Sequence, residues 1–319
     1  MKKFYIVILS LTLFTATAQQ DTQFSHYYFN QLFFNPATAG SENVTRFQAI
    51  YRTQYTGYQS TFDDGGAPVS QVISANVPLK MIKSGVGLTF VNDKIGASIQ
   101  RDLKLSYAYH IPVGGSQLAI GVNGGLFTRG IDYGRLRPRD DNDPLLGTGV
   151  ISQTKLDLGA GAYFYSPTYS IGLSVNHLNE PKYGLATDAI KGATNVLDRS
   201  AYLTGTMLFG VSYMIDVSPM FMLSSNLSNM SITSFSAGAI ATYDNTYWLG
   251  ASYRVGDAVT ALLGANILNN TLRIGYAIDV IVGGAQAKSA TTHEVMLSYA
   301  LAPFRAGKKS IIRTPRYRY

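Results

Sequence analysis

From Ser41 onward, apolar and polar positions alternate with a period of two. That spacing gives a strand one apolar and one polar face. Leu103, Leu105, Tyr107, Tyr109 and Ile111 alternate with Asp102, Lys104, Ser106, Ala108 and His110. Val295, Leu297, Tyr299 and Leu301 alternate with Glu294, Met296, Ser298 and Ala300. Leu272, Ile274, Tyr276, Ile278, Val280 and Val282 oppose Arg273, Gly275, Ala277 and Asp279. From Ala201 to Tyr213 the alternation holds except at Leu208. Strands are expected near 44–55, 69–79, 84–93, 99–111, 116–128, 155–164, 168–176, 200–214, 219–227, 232–243, 246–254, 257–267, 271–283 and 293–301.

A soluble sandwich alternates too, and three features favour a membrane barrel. The segments reach the roughly 9–11 residues that cross a bilayer at a tilt. Their apolar faces end in Tyr, as an aromatic girdle would. The connections also alternate in length. Tight ones fall at 80–83, 112–115, 166–167, 216–218, 244–245 and 268–270, and the long ones at 56–68, 129–154, 177–199 and 284–292. Short turns on one side and long loops on the other are the outer-membrane arrangement, and bacterial barrels have even strand numbers. The expected fold is therefore all-β: a transmembrane antiparallel β-barrel of about fourteen strands in the outer membrane of a Gram-negative bacterium, surrounded by its lipid. Both the N-terminal stretch and the C-terminal tail are expected on the periplasmic side.

The chain divides into four parts. Residues 1–18 read as a signal peptide: Lys2 and Lys3, an apolar run from Phe4 to Phe14, then the small-x-small Ala16-Thr17-Ala18. Residues 19–42 form an N-terminal periplasmic or plug segment, 43–302 the barrel and 303–319 a basic tail. The stretch from Gln20 to Ser41 is rich in aromatics, nearly uncharged, and unlike anything later in the chain. Phe24, Tyr27, Tyr28, Gln31 and Leu32 fall at helical spacing. Thr22 is placed to cap such a helix, and Asn35 before Pro36 to end it. About fourteen strands enclose a lumen wide enough to hold water unless something fills it. The stretch is thus either a plug or a leader packed beneath the barrel.

Composition narrows the function. Charged residues are only 14%, with 22 Tyr and 31 Gly, against about 25% charge in soluble chains. The net charge of +7 resides mostly in the tail, where Arg305, Lys308, Lys309, Arg313, Arg316 and Arg318 stand without an acid. The remaining body is close to neutral, which disfavours a nucleic-acid reader. The tail reads as an extended arm suited to an acidic periplasmic partner or anionic head groups. The absence of cysteine excludes thiolate metal sites and a cysteine nucleophile. His26, His110, His177 and His293 show no metal spacing, and there is no G-x-S-x-G. No enzyme activity and no cofactor are expected. His293 and Glu294 are adjacent on a strand, so they face opposite ways, and a tie to neighbouring loops is expected of them. In the loop 129–154, Arg129, Arg135, Arg137 and Arg139 lie beside Asp140, Asp141 and Asp143. A long loop on a rigid scaffold is a place for partner contacts, whereas Asp140-x-x-Asp143 lacks a full calcium ligand set.

Several short motifs in a fixed order resemble the PorP/SprF family. They begin with Gln20-Asp21-x-Gln23-Phe24-Ser25, Phe29-Asn30 and Asn35-Pro36-Ala37-x-Ala39-Gly40-Ser41. Tyr51-Arg52-x-Gln54, Gly66-Ala67-Pro68, Asn92-Asp93-x-Ile95-Gly96 and Tyr107-Ala108-Tyr109 follow. The series ends with Gly172-Leu173-Ser174-Val175-Asn176-His177-Leu178, Trp248-x-Gly250-x-Ser252-Tyr253-Arg254, Gly275-Tyr276-x-x-Asp279 and His293-Glu294 to Tyr299. Thr292 stands where the family usually has Ser, and Thr38 where it often has Tyr. The resemblance implies an outer-membrane protein of the type IX secretion and gliding machinery. One branch binds the C-terminal domain of a secreted adhesin and supports its export and surface attachment. The other is linked to the translocon or its periplasmic ring, and a small-solute channel is a further alternative. The plug or partner-binding candidates are Asp21, Gln23, Phe24, Ser25, Tyr28, Phe29, Asn30, Asn35, Pro36 and Gly40. The loop and tail candidates are Arg135, Arg137, Arg139, Arg305, Lys308, Lys309, Arg313 and Arg316.

Overall fold

The structure, a computed structural model, describes residues 21–58, 67–136, 148–184, 195–283 and 291–301. The alternation becomes fourteen barrel strands. They are β1 (Thr45–Thr53), β2 (Val69–Leu79), β3 (Ser84–Ile95), β4 (Ser98–Val113), β5 (Ser116–Asp132), β6 (Val150–Tyr165) and β7 (Tyr169–Asn176). β8 comprises Ser200–Met207 and Phe209–Ser212. It is followed by β9 (Ile215–Asn226), β10 (Ser231–Tyr243), β11 (Tyr247–Arg254), β12 (Ala258–Ile267), β13 (Leu272–Ile281) and β14 (Thr291–Leu301). Every neighbouring pair is antiparallel. β8 joins β7 on one side and β9 on the other. β14 pairs with β1 from Thr45↔Leu301 to Thr53↔His293, so the sheet closes and leaves no edge for lipid to meet.

The apolar face points outward. Leu105 is 61% exposed while its neighbour Ser106 is 1% exposed. The same inversion holds along β14, where Val295, Leu297 and Tyr299 are exposed and Glu294, Met296 and Ser298 are buried. A polar interior under an apolar exterior is the order a bilayer selects. Among the described residues no helix is long and apolar enough to cross a membrane; the strands do the crossing.

Three details depart from the sequence expectation. Asp216-Val217-Ser218 is strand, and the turn sits at Tyr213 and Met214. The ladder Ile215↔Tyr243, Asp216↔Thr242, Val217↔Ala241 carries β9 through those residues. The exception at Leu208 is a break in β8, where the Leu208 amide donates to Thr168 O, just before β7, at 2.7 Å. Finally, β5 and β6 run on to Asp132 and from Val150, so the loop between them is shorter than 129–154. Beyond β7, Lys182–Tyr183 pairs with Asn195–Val196 in a small separate ladder.

Candidate functional site

The residues from Asp21 to Gly40 lie inside the barrel. They bond to groups on β1, β2, β4, β6, β7, β8, β13 and β14. Only one turn of α-helix forms, α1 (Gln31–Phe34), and no side chain caps it at Asn30. The longer helix capped by Thr22 is not formed. Aromatic side chains in a closed lumen find walls on every side, so burial does not select one helical stripe. The end of the helix is as expected: Asn35 is extended because the proline ring crowds a helical residue before it. The Asn35 Oδ1 accepts from the Ala37 amide at 2.9 Å, opening a 3₁₀ turn over Pro36–Thr38.

From Asn35 to Gly40 the segment presses against glycine. A Cβ on Gly161 would stand 2.2 Å from Asn35 Oδ1, one on Gly121 2.4 Å from Ala37 N, and one on Gly85 2.2 Å from Ala39 O. These wall glycines on β3, β5 and β6 allow contact that any side chain would block. Asn35 Nδ2 donates to Ala162 O at 3.0 Å, Ser174 Oγ donates to Phe34 O at 2.8 Å, and His110 Nε2 lies 2.8 Å from Ala39 O. Gly40, at φ +77°, turns the chain toward β1 and donates its amide to Asn76. Further in, Phe24, Tyr27, Phe33 and Phe34 pack against Val72, Val91, Met222 and Met296 of the wall. Phe24 meets Phe33 edge-on at 5.3 Å.

Two charged clusters hold the other end. In the first, Glu294 of β14 accepts from the Ser25 amide at 2.8 Å and the His26 amide at 2.9 Å, and pairs with His26 Nδ1 at 2.7 Å. Arg52 of β1 bridges Glu294 at 3.0 Å and Asp279 of β13 at 2.7 Å. It also donates to Ser25 Oγ at 2.7 Å, and Ser25 Oγ donates to Asp279 at 2.7 Å. All five residues are buried, and every charge in the cluster faces an opposite one, the condition under which buried ions are tolerated.

In the second cluster His177, just past β7, lies between two carboxylates: Nε2 is 2.8 Å from Asp21 and Nδ1 is 2.9 Å from Asp157. A neutral imidazole has one N–H, so satisfying both acceptors requires the imidazolium. Burial alone would push the His177 pKa down; the Asp21 and Asp157 carboxylates overrule it and raise it to about 9. Likewise burial would raise the Asp21 carboxyl, but His177, Lys104 and the Tyr202 hydroxyl hold it well below the usual carboxylate range. Lys104 completes the cluster at 2.7 Å from Asp102 and 3.3 Å from Asp157.

The path of the segment corrects one expectation. Gly40 lies near Pro78 and Gly85 at the short-turn end, whereas Asp21 meets His177 at the long-loop end. The N-terminal stretch was expected on the short-turn, periplasmic side; its first described residue stands at the opposite mouth. Because β1 begins at the short-turn end, a segment that threads the lumen before it must start at the other.

Of the predicted site residues, Asp21, Phe24, Ser25, Asn30, Asn35, Pro36 and Gly40 share this interior. Gln23 lies beside Phe34 and Tyr202. Tyr28 and Phe29 are partly buried and face the short-turn side, with the Arg273 guanidinium 4.6 Å over the Phe29 ring. Arg135 is remote, pairing with Asp132 at 3.3 Å at the outer end of β5. Arg137, Arg139, Asp140, Asp143, Arg305, Lys308, Lys309, Arg313 and Arg316, like the signal peptide and tail, lie outside the described residues. His293 and Glu294 do face opposite ways, His293 meeting Tyr276 Oη at 2.6 Å. The expected tie of that pair to neighbouring loops is corrected for Glu294, which grips the N-terminal segment instead. The wall partners Arg52, Lys104, Asp157, His177, Asp279 and Glu294 were not singled out as site residues. Their signal was a charge on the inward face of a strand, or at its end, in a chain with few charges.

A closed fourteen-strand barrel, apolar outside and polar inside, with an aromatic segment fixed across its lumen, defines an outer-membrane β-barrel. Residues 16–299 match the family described as Type IX secretion system membrane protein PorP/SprF. The chain belongs to that family. A search of curated proteins found no match. Among solved structures it is similar to the Pseudomonas putida toluene transporter TodX, at 12% identity over 85% of this chain and 93% of that one, with a TM-score of 0.48. It is also similar to a Pseudomonas aeruginosa FadL homologue, at 11% identity over 83% and 92%, TM-score 0.46. The Acinetobacter baumannii outer membrane protein Omp33 matches at 8% identity over 81% and 99%, TM-score 0.45.

Proposed function

We propose that the protein is an accessory barrel of type IX secretion and gliding, which binds the C-terminal domain of a secreted adhesin and supports its export and attachment at the cell surface. The observation that carries this reading is the clamped lumen segment. Two buried charge clusters and a glycine-paved wall fix residues 21–40 across the pore, which fits a rigid docking scaffold better than an open channel. On this reading the segment is a plug, the protein works by binding rather than by chemistry, and the short turns with Thr45 and Leu301 face the periplasm. Deleting the gene is expected to abolish surface display of one adhesin while the protein's own outer-membrane neighbours assemble normally. Normal display of all type IX cargo in the deletion strain would refute it. In planar bilayers the intact protein is expected to be closed; stable large conductance would favour a solute channel. A second reading, attachment to the periplasmic ring, draws support from the basic sequence of 303–319, which follows Leu301 at the short-turn end. Removing those residues is expected to leave the barrel assembled and to reduce recovery of ring proteins in a pull-down.

A further inference from the structure

Beneath the lumen segment the barrel keeps an open vestibule of about 430 Å³. Its ceiling is Tyr28 and Phe29, and its lining descends to the turn residues Ser166, Pro167, Thr168 and Asn245. It therefore faces the short-turn end. The volume falls within the roughly 300–1,000 Å³ of small-ligand sites.

The charges on its walls balance in number, two arginines against two carboxylates, but among the described residues only one of each is paired. Arg46 and Arg273 both line it, and Glu42 is the carboxylate beside them. Glu42 is bound to Arg46 Nε, and Arg46 Nη1 donates to Ser298 Oγ at 3.1 Å. Arg273 has no carboxylate of its own among the described residues. Its Nε donates to Asn266 Oδ1 at 2.9 Å, and its Cζ stands 4.6 Å from the centre of the Phe29 ring. The guanidinium is thus held by Asn266 and the Phe29 ring, and its terminal nitrogens have no acceptor among the described residues. Phe29 in turn packs against Trp248 at 4.9 Å. Asp216 of β9 lines the same vestibule, four strands away from Arg273, and forms no ion pair among the described residues.

We propose that this vestibule is a binding site for an acidic, aromatic peptide segment entering from the short-turn side, with its carboxylate on Arg273 and its ring beside Tyr28, Phe29 and Trp248. A planar guanidinium fixed on a ring matches a carboxylate bidentately, and the aromatic ceiling favours an apolar neighbour to that acid. The basic tail of this chain has the wrong sign for Arg273, so the occupant is a segment of another, periplasm-facing protein. The site rests on the periplasmic orientation of the short turns proposed above but not on the adhesin, so peptide binding and adhesin display would fail separately.

Trp248 is the single tryptophan of the chain, and its place in the lining makes it the reporter. The full-length protein in detergent micelles is titrated with acetyl-Phe-Glu-Glu amide and followed by tryptophan emission. A saturable change is expected, absent with acetyl-Phe-Gln-Gln amide. R273Q is expected to weaken binding about tenfold or more, the loss of one charge-assisted contact, and R273K to recover part of it. Heat-modified gel migration confirms that each variant is folded, and R101Q, an exposed arginine on β4, serves as the control that binds normally. Equal binding of the Glu and Gln peptides, unchanged affinity in folded R273Q, or no saturable change would each overturn the proposal. Inorganic phosphate displacing the peptide at equal concentration would also overturn it, reducing the vestibule to a simple anion site.

Discussion

Removing the Glu294 carboxylate should free the start of the lumen segment. That carboxylate receives the amides of Ser25 and His26, His26 Nδ1 and Arg52 Nη1, all at 2.7–3.0 Å and all buried. In Glu294→Ala, two segment amides lose their acceptor and Arg52 keeps Asp279 as its one carboxylate, with Ser25 Oγ beside it. Deleting one partner of a buried ion pair costs about 3–5 kcal/mol. Asp279 still holds Ser25 Oγ and Arg52 Nη2, so the lower end, about 3 kcal/mol, is the figure to expect for local release. At 1.4 kcal/mol per decade this raises the released population about a hundredfold. Hydrogen exchange of the Ser25 and His26 amides reads that population directly, because both donate to Glu294 and to nothing else described. Their protection should fall about a hundredfold, while Met296 and Ser298 in β14 stay within about threefold. Glu294→Gln, which keeps one acceptor oxygen, should fall between. If Ser25 and His26 exchange at the native rate in a folded Glu294→Ala barrel, the carboxylate is not the clamp, and aromatic packing alone holds the segment.

The glycine-paved wall gives a second test: Gly161→Ala puts a methyl 2.2 Å from Asn35 Oδ1 and should cost about 1–3 kcal/mol. The loss should appear as a lower urea midpoint in heat-modified gel migration. Gly115→Ala, at a turn with no heavy atom within 4 Å, should leave that midpoint unchanged. The second cluster gives the pH dependence. The His177 pKa is raised from 6.5 to about 9, so its stabilising effect is complete below about pH 6.5 and is lost as pH rises through about 9. Asp21 is depressed, so its contribution is present above about pH 4 and is lost in stronger acid. Thermal melting should therefore weaken between about pH 6.5 and 9 in the native protein. In His177→Gln that slope should disappear, and a slope of unchanged size there would show that the imidazolium is not its source.

The barrel could be read from the sequence because the bilayer enforces a strict outward period of two, as at Leu103, Leu105, Tyr107 and Tyr109. That signal fades where strands leave the apolar layer. Thr128 to Asp132 and Val150 to Thr154 pair normally without an apolar face, so the outer ends of β5 and β6 looked like loop. Asp216-Val217-Ser218 looked like a turn by composition, yet Asp216 lines the lumen and its ladder continues. The aromatic stretch stood out, but its helical spacing misled, since a tube offers contacts in all directions. The wall residues were visible as inward polar positions, and Arg52, His177, Asp279 and Glu294 also stood in the family-like motifs, but without partners. Which of them meet is decided by barrel closure: Arg52 binds Asp279 and Glu294 across 227 and 242 residues, a separation at which local pattern carries no information.

The placement of that cluster links holding the segment to closing the barrel. Arg52 and Glu294 are register partners on β1 and β14, the two strands whose pairing turns the sheet into a cylinder. Before they pair, Glu294 has no guanidinium beside it, and Ser25 Oγ lacks its contact with Arg52. Once they pair, the same carboxylate bonds to the seam and to the segment together. Bringing these ends into contact costs loop-closure entropy over most of the chain, and the buried contacts of Ser25, His26, Arg52 and Glu294 offset part of it. The glycines of β3, β5 and β6 let residues 35–40 lie directly against that wall, where any side chain would collide with them. The native contacts thus join segment and seam through one carboxylate, so a clamp built on β1 and β14 stabilises the barrel as well as filling it.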